Sequence, residues 1–409
     1  MPTQRRPSLA MPTTMTPIAN PQRLHRFPMI EDVRRRAIAR LPEAICGFLE
    51  SGSGYETCLT RNRAAFDAMT FTPHYLSASP HPSLITRLFG YDYSVPFGIA
   101  PLGMADIVWP GTQAILHETA ARRRLPFVVG MLNALAIEAA AGQIEGPRWL
   151  QLYPLRERDI WDDLINRADQ AQYDVLVITI DCPTLGRRES MRRAGFQLPL
   201  PQFRHPRFLA SCLAHPRWLW RTSQHGMRFC PLFEPYVQSP TQASIGAFLR
   251  RQMPVPMNWE ALSHLRDRWP RHLVIKGVVN GEEAQKLAAL GVDALWVSNH
   301  GGRQLDAIPA SLDALRRVRS AVGPDLPILM DSGVRCGLDI ARALASGADF
   351  VFLGRPFVYG TTAFDDVGGD VIVDILTDEL LNALQLLGIE QATALASDQA
   401  VGFQYGSDR

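Results

Sequence analysis

A histidine followed by two glycines and an arginine is the feature of this sequence that points most directly to chemistry. The string is His300-Gly301-Gly302-Arg303. Imidazole is the side chain most easily poised near neutral pH, which makes His300 a candidate general base. The carboxylate of Asp181 could orient this imidazole and stabilise its protonated form. A lone histidine is more often structural, but the adjacent glycines and Arg303 favour a functional role here.

Two arginines could hold an anion near this base. The guanidinium groups of Arg188 and Arg303 have the planar fork that binds a carboxylate through two parallel hydrogen bonds. Arg188 lies in an arginine-rich stretch, so the alternative for it is a solvated surface side chain. We therefore expect a clamp for a planar anion beside the base.

Eight short apolar runs alternate with amphipathic stretches from residue 97 onward, and these elements must position the polar residues. Apolar runs separated by helical patterns indicate βαβ units and a parallel sheet that is buried on both faces. Eight units predict an α/β fold of the (β/α)8 TIM barrel type, since an open doubly wound sheet usually has fewer strands. The runs are 97–104, 127–130, 148–153, 175–182, 273–279, 294–300, 327–333 and 350–356, and the helical stretches are 112–124, 157–171, 281–290, 310–320 and 337–346.

In such a barrel the chemistry lies at the carboxyl ends of the strands. The glycine-containing turns after the seventh and eighth runs carry Arg335 and Arg355, where barrels commonly bind phosphate. Lys276, one of only two lysines, ends the fifth run. The sequence has no H-x-x-x-H, C-x-x-C or G-x-G-x-x-G pattern, so we expect neither a metal nor a dinucleotide site. Whether the phosphate belongs to a cofactor or to a substrate is left open by the residues alone.

The chain divides into an arm, a barrel and a tail. We expect residues 1–30 to form a disordered basic arm, 31–400 the barrel with an N-terminal helical extension over 31–50, and 401–409 a tail. A long loop is inserted after the fourth strand over residues 183–258. It holds eleven arginines, two acids and no clear strand.

The middle of this loop interleaves tryptophan with arginine. Residues 204–221 include Arg217, Trp218, Trp220 and Arg221, a composition that suits the headgroup level of an anionic membrane. A substrate lid or a protein contact is the alternative. No apolar run is long enough to span a bilayer, so the expected contact is peripheral.

The composition excludes several classes of protein. Of the 409 residues 46% are apolar, which rules out a disordered or fibrous chain. A net charge of +2 gives no support for nucleic acid as a partner. The six cysteines are scattered, which favours a reduced, cytoplasmic protein, with a position on the inner face of the cell membrane if the loop binds lipid.

Several strings resemble the family of FMN-dependent α-hydroxy acid dehydrogenases and oxidases, which includes glycolate oxidase and the L-lactate and mandelate dehydrogenases. The resemblance covers roughly residues 31–400, and the string SNHGGRQLD is highly specific to this family. The segments 250–270 and 215–220 are similar to the membrane-associated mandelate and lactate dehydrogenase branch. The matching strings are APLGM (100–104), WLQLY (149–153), TIDCPTLGRRE (179–189), VIKGV (274–278), SNHGGRQLD (298–306), DSGVRCGLDIARALASGAD (331–349) and LGRP (353–356).

The resemblance assigns a role to each candidate residue. His300 would be the catalytic base with Asp181 behind it, and Tyr153, Arg188 and Arg303 would bind the substrate. The remaining residues would bind FMN, with Lys276 at the pyrimidine edge of the flavin. Those lining its ring are Pro101, Leu102, Gly103, Gln151 and Thr179, and those holding ribityl and phosphate are Asp331, Gly333, Arg335, Gly354 and Arg355.

The implied reaction is oxidation of an (S)-2-hydroxy acid, lactate- or mandelate-like, to the 2-oxo acid. His300 would remove the hydroxyl proton while the α-hydrogen passes to FMN as hydride. In a carbanion route His300 takes the α-proton instead, and the sequence does not separate the two. Electrons would pass to a quinone or another acceptor, or to O2 in a hydroxy acid oxidase. The resemblance also implies a homo-oligomer, commonly a tetramer.

Two departures from the family pattern concern the substrate more than the cofactor. Phe48 stands where relatives usually have a tyrosine that contacts the substrate carboxylate, and Gly130-Met131 replaces a Ser/Thr pair near the flavin. Leu132, in place of a bulky aromatic, leaves room for a larger substrate. The alternatives are an α-amino or peptide-derived substrate, a flavin-binding barrel without turnover, and a phosphosugar-processing barrel without flavin.

Overall fold

Eight parallel strands form one barrel in the computed structural model, as the apolar runs predict. Each strand is hydrogen-bonded to its neighbours in chain order, and a bridge between Ile99 and Phe127 joins the first strand to the residue before the second. The strands are β1 Phe97–Ile99, β2 Val128–Gly130, β3 Trp149–Leu152, β4 Val175–Thr179, β5 His272–Val278, β6 Ala294–Val297, β7 Ile328–Met330 and β8 Phe350–Leu353. The described residues are 21–73, 75–77, 81–142, 146–197, 200–201, 206–226, 230–396 and 403–405.

Aromatic side chains fill the interior of the barrel. The rings of Trp296 and Phe352 lie 4.2 Å apart, and that of Trp149 lies 5.7 Å from Phe352. A short antiparallel hairpin, Thr86–Leu88 with Tyr91–Tyr93, packs against this layer, where the indole of Trp149 donates a hydrogen bond to the Tyr93 hydroxyl at 3.2 Å. The barrel is therefore a packed core, and a site can form only at its rims.

Helices surround the strands and bury their apolar faces against them. The five helical stretches predicted from the sequence are all present, with ends within two residues of the expected ones. The helices outside the long loop are Ala105–Val108, Thr112–Arg123, Ile137–Ala141, Arg158–Gln170, Trp259–Arg268, Gly281–Ala289, Ser311–Val322, Gly337–Ala345, Arg355–Phe364 and Gly368–Leu387, with single 3-10 turns at Tyr75–Ser77, Asp365–Val367 and Ala392–Ala396.

The two ends of the chain differ from expectation where they are described. The predicted arm contains a helix, Pro21–Arg26, and the extension is interrupted by Pro42, which precedes the second of its helices. Within the predicted tail, Phe403–Tyr405 pairs antiparallel with Met69–Phe71, because strand edges need hydrogen-bond partners. Residues 1–20 and the rest of the tail lie outside the described part. The N-terminal helices are Pro21–Arg26, Ile30–Ile38, Glu43–Glu50 and Thr57–Asp67.

The long loop after β4, in which the sequence shows no clear strand, is largely helical where it is described. Proline at the start of two helices, at positions 206 and 216, favours helix initiation, a signal that the strand-centred interpretation passed over. The elements are helices Glu189–Arg193, Pro206–Leu213, Pro216–His225 and Gln242–Gln252, a 3-10 helix Pro231–Tyr236 and the short strands Phe196–Gln197 and Leu200–Pro201.

The helical period places the arginines and tryptophans of this loop on two faces, one buried and one exposed. The Trp218 indole donates to the carbonyl of Val108 at 2.9 Å, and Arg221 donates to the carbonyl of Pro110 at 3.0 Å, so both are buried against the barrel. Arg217 and Trp220 face outward. Half of the residues that suggested a membrane contact therefore anchor the loop to the β1 side of the barrel, and residues 204–205 lie outside the described part.

A half-buried carboxyl on the last long helix makes the stability of this fold depend on pH. Glu379 accepts a hydrogen bond from the backbone N–H of Gly337 at 2.6 Å, and burial raises the pKa of its carboxyl to about 7. The folded state therefore prefers the neutral acid, and the free energy of unfolding falls as pH rises from the ordinary glutamate pKa through 7.

We expect Glu379→Gln, which keeps a hydrogen-bond acceptor, to stabilise the protein by about 1–2 kcal/mol at pH 8 and by less at pH 5. Denaturant unfolding at the two pH values measures the difference. Glu390→Gln, at an exposed glutamate just beyond the same helix, is the matched control and should show no such dependence. Equal effects of Glu379→Gln at both pH values would contradict the prediction.

Candidate functional site

The carboxyl ends of the strands surround one cavity, here called the central cavity. Fourteen of the sixteen candidate site residues line it, and the other two, Asp181 and Gln151, lie directly behind its wall through hydrogen bonds to His300 and Thr179. Strands deliver these side chains to one rim because all eight run in the same direction. The fourteen are Pro101, Leu102, Gly103, Tyr153, Thr179, Arg188, Lys276, His300, Arg303, Asp331, Gly333, Arg335, Gly354 and Arg355.

His300 and Asp181 form the hydrogen-bonded pair that a general base requires. Nδ1 of His300 lies 3.0 Å from Oδ1 of Asp181, and Nε2 points to the other side, 3.4 Å from the hydroxyl of Tyr153. Burial acts to raise the pKa of Asp181, but His300 and Lys276 more than offset it, so this pKa lies below its usual value. The carboxylate thus fixes the proton on Nδ1 and leaves Nε2 as an acceptor facing the cavity.

The turn that carries His300 has an unusual backbone. His300, Gly301 and Gly302 have φ angles of 57°, 65° and 73°, in the left-handed region that glycine tolerates best. These three consecutive left-handed backbone angles explain why two glycines follow the histidine. It directs the His300 side chain back over the barrel mouth, toward Tyr153.

Lys276 is held in the wall of the cavity by a buried network. Its Nζ lies 3.0 Å from Oδ2 of Asp331 and donates to Oγ of Ser298 at 2.8 Å. Burial acts to lower the pKa of Lys276, but Asp331 and Asp181 outweigh it, so the pKa is raised and the amine stays charged. The network joins the ends of β5, β6 and β7 around one fixed cation.

Two serines that the sequence interpretation missed complete this network. Ser298 donates to Oδ1 of Asp331 at 2.6 Å and accepts from the backbone N–H of His300 at 3.0 Å. Ser332 donates to the same oxygen at 2.7 Å and accepts from the N–H of Gly301 at 2.9 Å. Both lie in strings that resemble the family, but their roles depend on contacts between strands that spacing does not reveal.

Three buried arginines give the cavity a positive potential. Arg303 donates to the carbonyls of Phe48 and Leu49, at 3.2 and 2.6 Å, and its guanidinium lies 5.7 Å from the Phe48 ring. Burial lowers the pKa of Arg303 and of Arg188, and Nε of Arg188 has no hydrogen-bond partner among the described residues. An anion bound here would supply the missing counter-charge.

The third arginine, Arg355, lies beside Arg303, because both donate to the carbonyl of Leu49. It donates to the carbonyls of Leu49, Gly301 and Ser51 at 3.0, 3.0 and 3.1 Å. Burial lowers its pKa to about 10, with Arg335 adding to the effect. Arg355 also begins a ten-residue helix, whose N-terminal N–H groups favour an anion. These groups together suit a phosphate.

Another part of the cavity wall is built by β2, β3 and β4. Gln151 accepts a hydrogen bond from the N–H of Met131 at 3.3 Å and donates to the hydroxyl of Thr179 at 3.0 Å. At Gly130-Met131, where the sequence departs from the family pattern, the backbone N–H of Met131 is therefore hydrogen-bonded within the wall. A Cβ at Gly103 would lie 3.4 Å from Cβ of Leu132, so glycine leaves space there.

A third residue near the base was also missed by the sequence interpretation. The thiol of Cys182 lies 3.4 Å from Oδ1 of Asp181 and 3.5 Å from Nδ1 of His300. These three side chains could together hold a metal ion, although the sequence predicted no metal site. The prediction considered only ligands close together in sequence, whereas these come from the ends of β4 and β6.

With this geometry the chain can be compared with known proteins. Residues 37–401 match the model of the FMN-dependent dehydrogenase family, and the chain belongs to this family. It is 35% identical to (S)-mandelate dehydrogenase of Pseudomonas putida over 371 residues, 90% of this chain and 92% of that protein. It is 34% identical to L-lactate dehydrogenase of Xanthomonas campestris pv. campestris strain 8004 over 370 residues, 90% of this chain and 95% of that protein.

Solved structures show the same similarity. The structure of the monotopic membrane protein (S)-mandelate dehydrogenase has a TM-score of 0.86 at 33% identity and covers 92% of this chain and 99% of that one. A mandelate oxidase structure has a TM-score of 0.77 at 27% identity, covering 92% and 98% of the two chains. The barrel fold and the family resemblance expected from the sequence are confirmed.

The central cavity fits the cofactor of this family. Lys276 supplies a fixed cation in its wall, and Arg335, Arg355 and a helix N-terminus supply an anion site. A Cβ at Gly354 would lie 3.2 Å from Cδ2 of Leu102, so a side chain there would crowd the cavity. These features match a molecule with an electron-accepting ring and a terminal phosphate, as FMN has.

Proposed function

We propose that this protein oxidises an (S)-2-hydroxy acid, mandelate- or lactate-like, to the 2-oxo acid. The observation that carries the proposal is the His300–Asp181 pair, whose Nε2 faces the same cavity as the guanidiniums of Arg188 and Arg303, neither of which forms an ion pair with a carboxylate among the described residues. A base beside an anion clamp suits a substrate with a carboxylate next to the carbon that reacts. The names of the relatives support this substrate class.

In the proposed reaction Arg188 and Arg303 bind the substrate carboxylate and direct the neighbouring carbon toward His300. Nε2 of His300 accepts a proton from the substrate, and Asp181 stabilises the resulting imidazolium through Nδ1. Burial raises the pKa of Tyr153 well above its usual value, so its hydroxyl stays protonated and can donate to the substrate. The hydride and carbanion routes use these residues alike.

FMN, when bound, supplies a two-electron acceptor. Lys276 would stabilise negative charge on the reduced ring, and Pro101, Leu102, Gly103, Gln151 and Thr179 would position it. The ribityl chain and phosphate would be held by Asp331, Gly333, Arg335, Gly354 and Arg355.

Anaerobic absorbance of the purified protein tests the proposal. We expect a flavin spectrum that bleaches with (S)-mandelate or (S)-lactate, and the two rates rank the substrates. His300→Asn should keep the flavin but slow bleaching by roughly 10²–10⁴-fold, the usual contribution of a general base. His264→Asn, on the surface helix Trp259–Arg268, is the matched control. A flavoprotein that neither acid reduces would contradict the proposal.

Phe48 provides a second test, on substrate affinity. Its ring lines the cavity, stacks on Phe196 at 4.7 Å and places no hydroxyl near the clamp. We expect Phe48→Tyr to add a donor for the substrate carboxylate and to lower KM about 5- to 150-fold, which corresponds to about 1–3 kcal/mol of binding free energy, with kcat little changed. Phe48→Leu, which adds no donor, is the control. An unchanged KM for Phe48→Tyr would show that the hydroxyl is not within reach of the substrate.

We further propose peripheral membrane contact and a quinone acceptor. On the helices Pro206–Leu213 and Pro216–His225, Leu213 and Trp220 are 76% and 63% exposed, beside the outward Arg217. Apolar tips flanked by arginine suit an anionic lipid surface, and one structural relative is a monotopic membrane protein. No helix in the described part is long and apolar enough to cross a membrane. The tetramer and the cytoplasmic location stay predictions.

Vesicle flotation tests the membrane contact. We expect the FMN-loaded protein to float with phosphatidylglycerol vesicles and not with phosphatidylcholine vesicles. Replacing both Leu213 and Trp220 by serine should weaken binding by about tenfold or more. Full burial of an apolar side chain of this kind contributes about 1.5–3 kcal/mol of free energy. Trp259→Ser, at a 46% exposed tryptophan on another helix, is the control. Binding that is equal for all three proteins would contradict this role.

A further inference from the structure

The carboxylate, thiol and imidazole around the catalytic base have the arrangement of metal ligands. We propose that Asp181, Cys182 and His300 form a binding site for a soft or borderline divalent cation, Zn²⁺ or Cd²⁺, and that its occupation inhibits the enzyme. The inhibition rests on the proposed function of His300 as the base, whereas the binding does not.

The distances between the donor atoms fit tetrahedral zinc. Zinc bond lengths of about 2.0–2.1 Å to nitrogen or oxygen and 2.3 Å to sulfur give tetrahedral edges of about 3.3 Å between N and O and about 3.6 Å from S to either. In this protein Nδ1 of His300 is 3.0 Å from Oδ1 of Asp181, and the thiol of Cys182 is 3.5 and 3.4 Å from these atoms. A cation can therefore contact all three with small side-chain shifts.

One atom of this group lacks a partner among the described residues. Oδ2 of Asp181 accepts no hydrogen bond, although the side chain is only 7% exposed. Such an oxygen is a ready ligand, because a buried carboxylate gains from any cation that it meets. The nearest other cation, Lys276, is already paired with Asp331 at 3.0 Å.

A second cavity gives a route to the site from outside the barrel. This outer cavity has a volume of about 680 Å³ and is lined by Asp181 and Pro183, the neighbours of Cys182, together with Gly277 and Trp259. The three ligands thus lie in the wall between the outer and the central cavity. A hydrated ion can approach from the outer side, where water can fill the fourth coordination position.

Coordination at Nδ1 would disable the base. The metal takes the place of the proton on Nδ1, that proton moves to Nε2, and the thiol loses its proton to solvent as the metal–sulfur bond forms. Nε2 then carries hydrogen and cannot accept a proton from the substrate. Asp181 is engaged by the ion and no longer stabilises an imidazolium. No electrons are transferred in this step.

Cadmium absorbance and flavin reduction test the proposal on the FMN-loaded full chain. We expect one equivalent of CdCl2 to produce the ultraviolet thiolate-to-cadmium charge-transfer band, and ZnCl2 to slow anaerobic bleaching by the substrate, reversibly on chelation. Loss of a side chain that only supports a metal ligand typically weakens metal affinity by roughly 10–100-fold. Cys182→Val removes a direct ligand, so it should weaken zinc inhibition by at least about 100-fold. Cys182→Ser, closer in size, should also lose the band.

Cys46→Ala, which removes another half-buried thiol, is the control and should keep both the band and the inhibition. A cadmium band that persists in both Cys182 variants, or equal zinc inhibition of these variants and the native protein, would overturn the site. A band without slower bleaching would overturn the inhibition. If no 2-hydroxy acid reduces the flavin, the proposed function fails, while the cadmium band still reports the site.

Discussion

Buried positive charge is the constraint on which the rest of this structure depends. Lys276, Arg188, Arg303 and Arg355 surround one cavity, and among the described residues only Lys276 has a carboxylate partner. Cations removed from water cost several kcal/mol each unless other groups compensate them. The fold compensates two of the arginines with backbone carbonyls, and the remaining charge makes the cavity selective for anions.

The N-terminal extension supplies many of those carbonyls. Phe48, Leu49 and Ser51 accept hydrogen bonds from Arg303 and Arg355, so the helix Glu43–Glu50 forms one wall of the cavity. The side chain of Glu50 adds a carboxylate just behind, where it accepts from Tyr359 at 2.5 Å. What looks in the sequence like an appendage to the barrel is therefore part of its binding site.

The barrel could be predicted because its strands are buried on both faces and leave continuous apolar runs such as 175–180. His300, Asp181 and Lys276 could be found because each directly follows or ends such a run. The roles of Ser298, Ser332 and Cys182 could not, since they depend on which strand ends meet across the barrel mouth. The burial of Trp218 and Arg221 was not predicted for another reason. The sequence interpretation treated residues 216–225 as loop and did not consider which of them share a helix face.

The hairpin Thr86–Leu88 with Tyr91–Tyr93 and the aromatic layer above it close the barrel at its amino end. Everything that enters or leaves the central cavity must therefore pass the same rim of loops. A loop change that admits a bulkier acid also alters the approach of the electron acceptor, because the described residues leave no entrance through the barrel floor. Selectivity for the two reactants is thus coupled by the architecture, and the loops cannot evolve for one without consequences for the other.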